Sequence, residues 1–202
     1  MPQPVRPLIA ADFSPRSMLA RPELAAHIGV ISAIWNEIDK RIATLLAALI
    51  GAEARVVIGM YQSLTSAPAQ RAALSAAASL RMTSDQTKML EIHMKEIRKR
   101  GRERHAVVHG TWGVSDHHSD ALIWADPKDR IVHEINRIDD ARAIKQNGRS
   151  THYDILAGIR EEQTKWMVYK AEDFKDIEDR MTLALIGFAE FSSSFLIAWI
   201  RH

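Results

Sequence analysis

The residues best suited to chemistry lie in one run, KEIRKRGRERHAVVHG, at positions 95–110. It sets Lys95, Arg98, Lys99, Arg100, Arg102 and Arg104 against only Glu96 and Glu103. A cluster of that density is an electrostatic footprint for phosphate, although a run of charge is also how a solvated helix face reads. Arg104 lies seven residues after Ile97 and four before Val108, so the helical stripe turns it inward. An inward guanidinium must pair with a carboxylate or line a cleft or interface, because an unpartnered buried charge is costly. His105 and His109, four apart, share a face. Histidine can take a proton from a ribose 2′-hydroxyl, and arginine can stabilise charge on the crowded phosphate, so these residues have the parts for cutting RNA without metal.

Other constellations carry less. Asp116, His117, His118 and Asp120, with His133 further on, resemble a metal-ligand set in type only. Neighbouring histidines diverge, and the run sits where a turn is expected, so it reads as a solvated hairpin loop. Trp112 and Trp124 bracket that hairpin and could stack on bases or pack the core. His27 and His93 sit near apolar stripes as ordinary packed histidines. The chain contains no cysteine, which removes disulfide scaffolds, thiolate metal sites and cysteine nucleophiles. No glycine-rich phosphate loop and no nucleophile elbow is present, and no cofactor is expected.

These residues must be positioned by a fold that 202 residues, 47% hydrophobic and 26% charged, can build around a core of their own. The net charge of +2 is too small to make the whole molecule a polyanion trap. Five prolines among residues 1–22 predict an extended arm over residues 1–21, which the apolar Leu8, Ile9, Phe13, Met18 and Leu19 could dock. Pro22 opens a long helix whose stripe reads Leu24, Ile28, Ile31, Trp35, Ile38, Ile42, Leu45 and Leu49, with Gly51 as its stop or bend. Val57, Met60, Tyr61 and Leu64 continue as a second helix interrupted near Pro68, and residues 69–80 are helical by alanine content. A further long helix starts near Thr83 or Ser84, and another near Ala171, with Phe174, Ile177, Met181, Ala184, Phe188, Phe191 and Phe195 at spacings of three and four.

Matching seams of this kind predict a mainly α helical bundle. Between its last two long helices, residues 111–114 and 121–124 read as a hairpin, Ile131-Val132 and residues 165–169 as further strands, and Asn147-Gly148 as a turn. This makes a small antiparallel β insertion at about 111–170 within a single domain, 22–202. Residues 183–200 are apolar but interrupted by Glu190 and three serines, and read as a core helix. The N-terminus lacks a secretory signal pattern, so the expectation is a soluble cytoplasmic protein without membrane association.

Arg104-His105-Ala106-Val107-Val108-His109 matches the arginine, polar residue, three others, histidine form of the RX4-6H motif, and the chain thereby resembles the HEPN superfamily. The separations from Arg100 to His105 and from Arg102 to His109 also fit, but the polar residue after Arg104 and the helix end select the first. The resemblance extends over the first helix with Trp35 and Glu37, the Gly-Thr-Trp-Gly run after the histidine, and the last helix. It implies an up-down bundle of four to five helices that forms a homodimer around a shared RNA cleft. It also implies metal-independent endoribonuclease activity, often in toxins or defence effectors, with an antitoxin or regulatory protein as a further partner. By resemblance Arg104 and His109 are the catalytic pair, His105 orients them, and Glu37 supplies a supporting acid. Arg98, Arg100, Arg102 and Trp112 would bind substrate. The alternative is a non-catalytic dimerisation, regulatory or RNA-binding module on the same bundle.

Overall fold

The computed structural model describes residues 1–6, 8–147 and 152–200. It is mainly helical, with a small four-stranded antiparallel sheet. In chain order the elements are β1 (Gln3–Pro4), α1 (Pro22–Ile50), α2 (Ala54–Ser63), α3 (Ala67–Arg81), α4 (Ser84–His109), β2 (Thr111–Gly113), β3 (Ala121–Ala125), α5 (Pro127–Asn147), α6 (His152–Gln163), β4 (Met167–Lys170) and α7 (Ala171–Ile200). The chain forms two compact units. One comprises Met1–Val30 with Arg104–Ile177, the other Ile31–Glu103 with Glu178–His202.

The second unit is the all-helical one. Its core gathers Ile38, Ile42, Leu45 and Leu49 from the α1 stripe, Val57 and Tyr61, Leu74 and Ala78, Leu90 and Ile97, and Phe188 and Phe195. Gly51 ends α1 with φ +68°, a left-handed conformation open to glycine at little cost. Pro68 falls in the first turn of α3, where its missing N–H costs nothing, and Ser66 caps that turn through Ala69 N–H at 3.3 Å. A reciprocal box starts α4. Gln86 N–H donates to Thr83 Oγ1 at 3.3 Å, and Thr83 N–H donates to Gln86 Oε1 at 2.9 Å.

His93, on α4, lies 5.2 Å from the Phe191 ring and 6.2 Å from Phe188. Burial pushes its imidazole below the ordinary value. The unfolded chain therefore binds this proton more readily than the native one, and native stability should fall as pH drops below about 6.5. Melting temperature followed across pH 7 to 5 checks this, and His93→Phe should remove His93's share of the slope.

The first unit is built on the sheet, in the order β1-β4-β3-β2. Thr111 pairs with Ala125 and Gly113 with Ile123, while Ala121 pairs with Lys170 and Trp124 with Met167. Ala121, Ile123, Ala125 and Val168 pack with Val5, Ile9 and Trp166. Trp112, Tyr169 and Phe174 make a separate aromatic cluster with centroids 5.0–5.5 Å apart.

The N-terminal arm docks on this sheet. Gln3 and Pro4 pair with Val168 and Met167, and Asp12 bridges Val114. The buried Gln163 amide clasps it, because Oε1 accepts from the N–H groups of Leu8 and Ile9 and Nε2 donates to Ile9 O at 2.8 Å. Those bonds hold Leu8 at φ +70°, which a branched residue disfavours. Gln163→Ala should cost about 3 kcal/mol, since it strands buried backbone groups at about 1–3 kcal/mol each. Chemical denaturation would measure the loss, and faster proteolysis within residues 1–12 would locate it.

Two expectations for the β insertion need correction. Ile131 and Val132 lie in α5, not in a strand, with exposures of 60% and 55%. The described residues between β3 and β4 lie mostly in two helices, α5 and α6. Asp126 Oδ1 accepts from Lys128 N–H at 2.8 Å and Pro127 takes the first helical position, so the Asp-Pro pair that ends the hairpin also starts α5. The expected turn at Asn147-Gly148 lies in part outside the described residues. One described helix, α7, is long and apolar enough to cross a membrane, with mean hydropathy 1.3 over its richest window. Phe188 and Phe195 on it are buried core residues of the helical unit.

Candidate active site at the end of α4

The last turn of α4 sets three chemically capable side chains together. Arg104 is half-buried, and its Nη1 lies 3.5 Å from His109 Nε2. His105 and His109 are both exposed, with ring centroids 4.6 Å apart at 48°. This is the i, i+4 face expected from the spacing. Among the described residues Arg104 has no carboxylate partner, and its buried Nε makes no hydrogen bond. The guanidinium is therefore not closed into an ion pair.

Two indoles fix the helix end. The last four carbonyls of a helix lack intrahelical partners, and here Trp124 Nε1 donates to Ala106 O at 2.9 Å and Trp112 Nε1 to Val107 O at 2.8 Å. Both tryptophans come from the hairpin that follows, so the hairpin anchors the turn that carries His109. Gly110 lies against Trp124, and a Cβ there would fall 1.8 Å from Trp124 Nε1. Trp112 is 7% exposed, so it acts as a cap and core residue and has no face free for a base. That corrects its assignment as substrate-binding.

The guanidinium that turns fully inward is Arg100, 1% exposed. Its Nε lies 2.9 Å from Glu96 Oε1, and its Nη1 3.0 and 2.8 Å from the two Glu103 oxygens. Each partner is one turn away, which is the arrangement a buried charge requires. Arg100 is thus committed to a closed ion pair and is not a phosphate-binding residue, a second correction. Arg98 and Arg102 are exposed with no ion pair among the described residues. Glu37, on α1 in the helical unit, is half-exposed and pairs with Lys40 at 3.2 Å.

Comparison with protein-family models, with curated proteins and with solved structures finds no match for this chain. The site must therefore be judged on its own chemistry.

The hairpin loop offers no second centre. Ser115 Oγ accepts from His117 N–H and donates to Ala10 O at 2.5 Å. Asp120 is held by Lys170 at 2.7 Å, and that hydrogen bond and charge keep its carboxyl below the usual range. His133 pairs with Glu162 at 3.0 Å, which also receives Arg130. Among the described residues no group of three or more histidines and carboxylates is arranged to hold a metal ion.

Proposed function

We propose that this chain is a HEPN-type, metal-independent endoribonuclease acting through Arg104 and His109. The observation that carries the reading is the placement of the Arg104 guanidinium 3.5 Å from an exposed His109 imidazole, with no carboxylate among the described residues closing it off. His109 takes the proton of a ribose 2′-hydroxyl, and the freed oxygen attacks the adjacent phosphorus. Arg104 stabilises the negative charge gathered on the non-bridging oxygens, and as the bond from phosphorus to the 5′-oxygen breaks that oxygen takes a proton from solvent water. The products are a 2′,3′-cyclic phosphate, which can open to a 3′-phosphate, and a 5′-hydroxyl end. His105, beside His109, orients the pair. A homodimer that faces two such motifs across one cleft belongs to this reading, as does an inhibitory partner protein.

The same 3.5 Å contact supports one competing reading, in which Arg104 and His109 only staple the helix end of a non-catalytic interaction module. Incubating the protein with mixed RNA in excess EDTA separates the two. Cyclic-phosphate ends are expected from the nuclease. No cleavage across varied RNAs would favour the interaction module.

A further inference from the structure

A groove of about 830 Å³ runs between α4 and the middle of α7, and every residue lining it belongs to the helical unit. Lys95, Arg98, Lys99 and Arg102 line its α4 side, and Arg180 faces them from α7. The four α4 cations are exposed and form no ion pair among the described residues. Glu96, the carboxylate on the wall, is engaged by Arg100 at 2.9 Å. On the apolar part of the lining, Ile92 and Leu183 are 60% and 69% exposed.

We infer that this groove binds the phosphodiester backbone of single-stranded RNA. The polymer's identity rests on the ribonuclease reading, whereas the site itself rests on the groove. Positions 95, 98/99 and 102 repeat the positive charge at each turn over about two turns of α4, in steps of about 5 Å. A repeating charge of this kind fits a repeating anion better than a single one. The free ammonium and guanidinium groups supply the counterion-releasing contacts, and Ile92 and Leu183 offer apolar surface to unstacked bases. Contacts to phosphate and to the faces of bases do not distinguish one base from another, so binding through them should be indifferent to sequence.

The test is binding of fluorescent twelve-nucleotide oligo-U and oligo-A to the full chain carrying His109→Ala, so that cleavage is slow on the timescale of the measurement. With four phosphate contacts, log affinity should fall against log salt with a slope of about −3. Lys95→Ala/Lys99→Ala should reduce that slope by about 1.4, and Lys95→Glu/Lys99→Glu should weaken binding about tenfold or more in low salt. Arg55→Glu/Arg81→Glu makes the same charge change at two residues of the helical unit that do not line the groove, and should shift affinity less than twofold. All the altered side chains are exposed, and circular dichroism verifies the fold. Affinity within twofold of the parent in the Lys95/Lys99 variants would overturn the inference. So would binding to anionic phosphatidylserine vesicles, lost in those variants, without binding to RNA. If the unmodified chain binds RNA through the groove yet cuts none, the ribonuclease reading fails and the groove stands. If it cuts RNA but the groove variants bind normally, the reverse holds.

Discussion

Replacing His109 by alanine is expected to slow RNA cleavage about 10²–10⁴-fold, the range lost with a general acid or base. Arg104→Ala should cost about 10²–10³-fold, the range of a single charge-stabilising donor. In the proposed mechanism the two act on one transition state, so the double variant should be little worse than the poorer single one. Arg104→Lys keeps the charge but loses the planar fork, and should recover only part of the rate. The fall should appear in kcat, because the lost interactions form as the phosphorus becomes crowded. Single-turnover cleavage in EDTA, with end-group analysis, would measure it. Both variants must first be shown to fold, since Arg104 is half-buried. Rates unchanged in the folded variants would sink the catalytic assignment.

The second large effect is on stability. In Gly110→Ala the new methyl group would sit 1.8 Å from Trp124 Nε1, 2.3 Å from its Cδ1 and 2.7 Å from Ala106 O. Neither the indole nor the carbonyl can move without breaking the 2.9 Å bond between them. Overpacking costs about 1–3 kcal/mol, and a stranded carbonyl a similar amount. A loss of about 4 kcal/mol follows, lowering the melting temperature by on the order of 10 °C. Trp124→Leu removes the obstructing ring, so Gly110→Ala should cost much less in that background. A double-mutant cycle by chemical denaturation would measure the coupling. Cleavage should fall in parallel, because the displaced turn holds His109.

The long helices were legible because their apolar residues recur at three and four over many turns, as from Ile31 to Leu49 and from Phe174 to Phe195. The hairpin was equally plain. The interior of the β insertion was not. Ile131-Val132 is a β-branched pair with strand propensity, and the stronger signal was the spacing Ile131, Ile135, Ile138 behind an Asp-Pro start. At the candidate site, the shared face of His105 and His109 followed from their spacing of four, whereas the pairing of Arg104 with His109 was expected only from the RX4-6H resemblance, and the burial of Arg100 was not expected at all. Ile97, Arg100 and Val107 are the buried residues of this part of α4, while the expected line ran from Ile97 through Arg104 to Val108 and left Arg100 on the phosphate-binding face. The flanking Glu96 and Glu103, each one turn from Arg100, were the available clue. The Trp112 and Trp124 caps are long-range bonds from a hairpin to a helix end, and no local pattern encodes them.

The two compact units are interleaved along the chain, and this bears on how the protein is made. About 150 residues separate Ile38 from Phe188, its companion in the helical core. Ribosomes add about 5–20 residues per second, so the α1 stripe emerges on the order of ten seconds before Phe188 exists. The helical core cannot close until α7 has been synthesised, by which time the sheet and its docked arm have already been made. The nascent chain must carry an incompletely covered helical core, α1 to α4 without α7, through much of its synthesis. It is therefore a natural client for holding chaperones, and cell-based production should depend on their supply more than its modest size suggests.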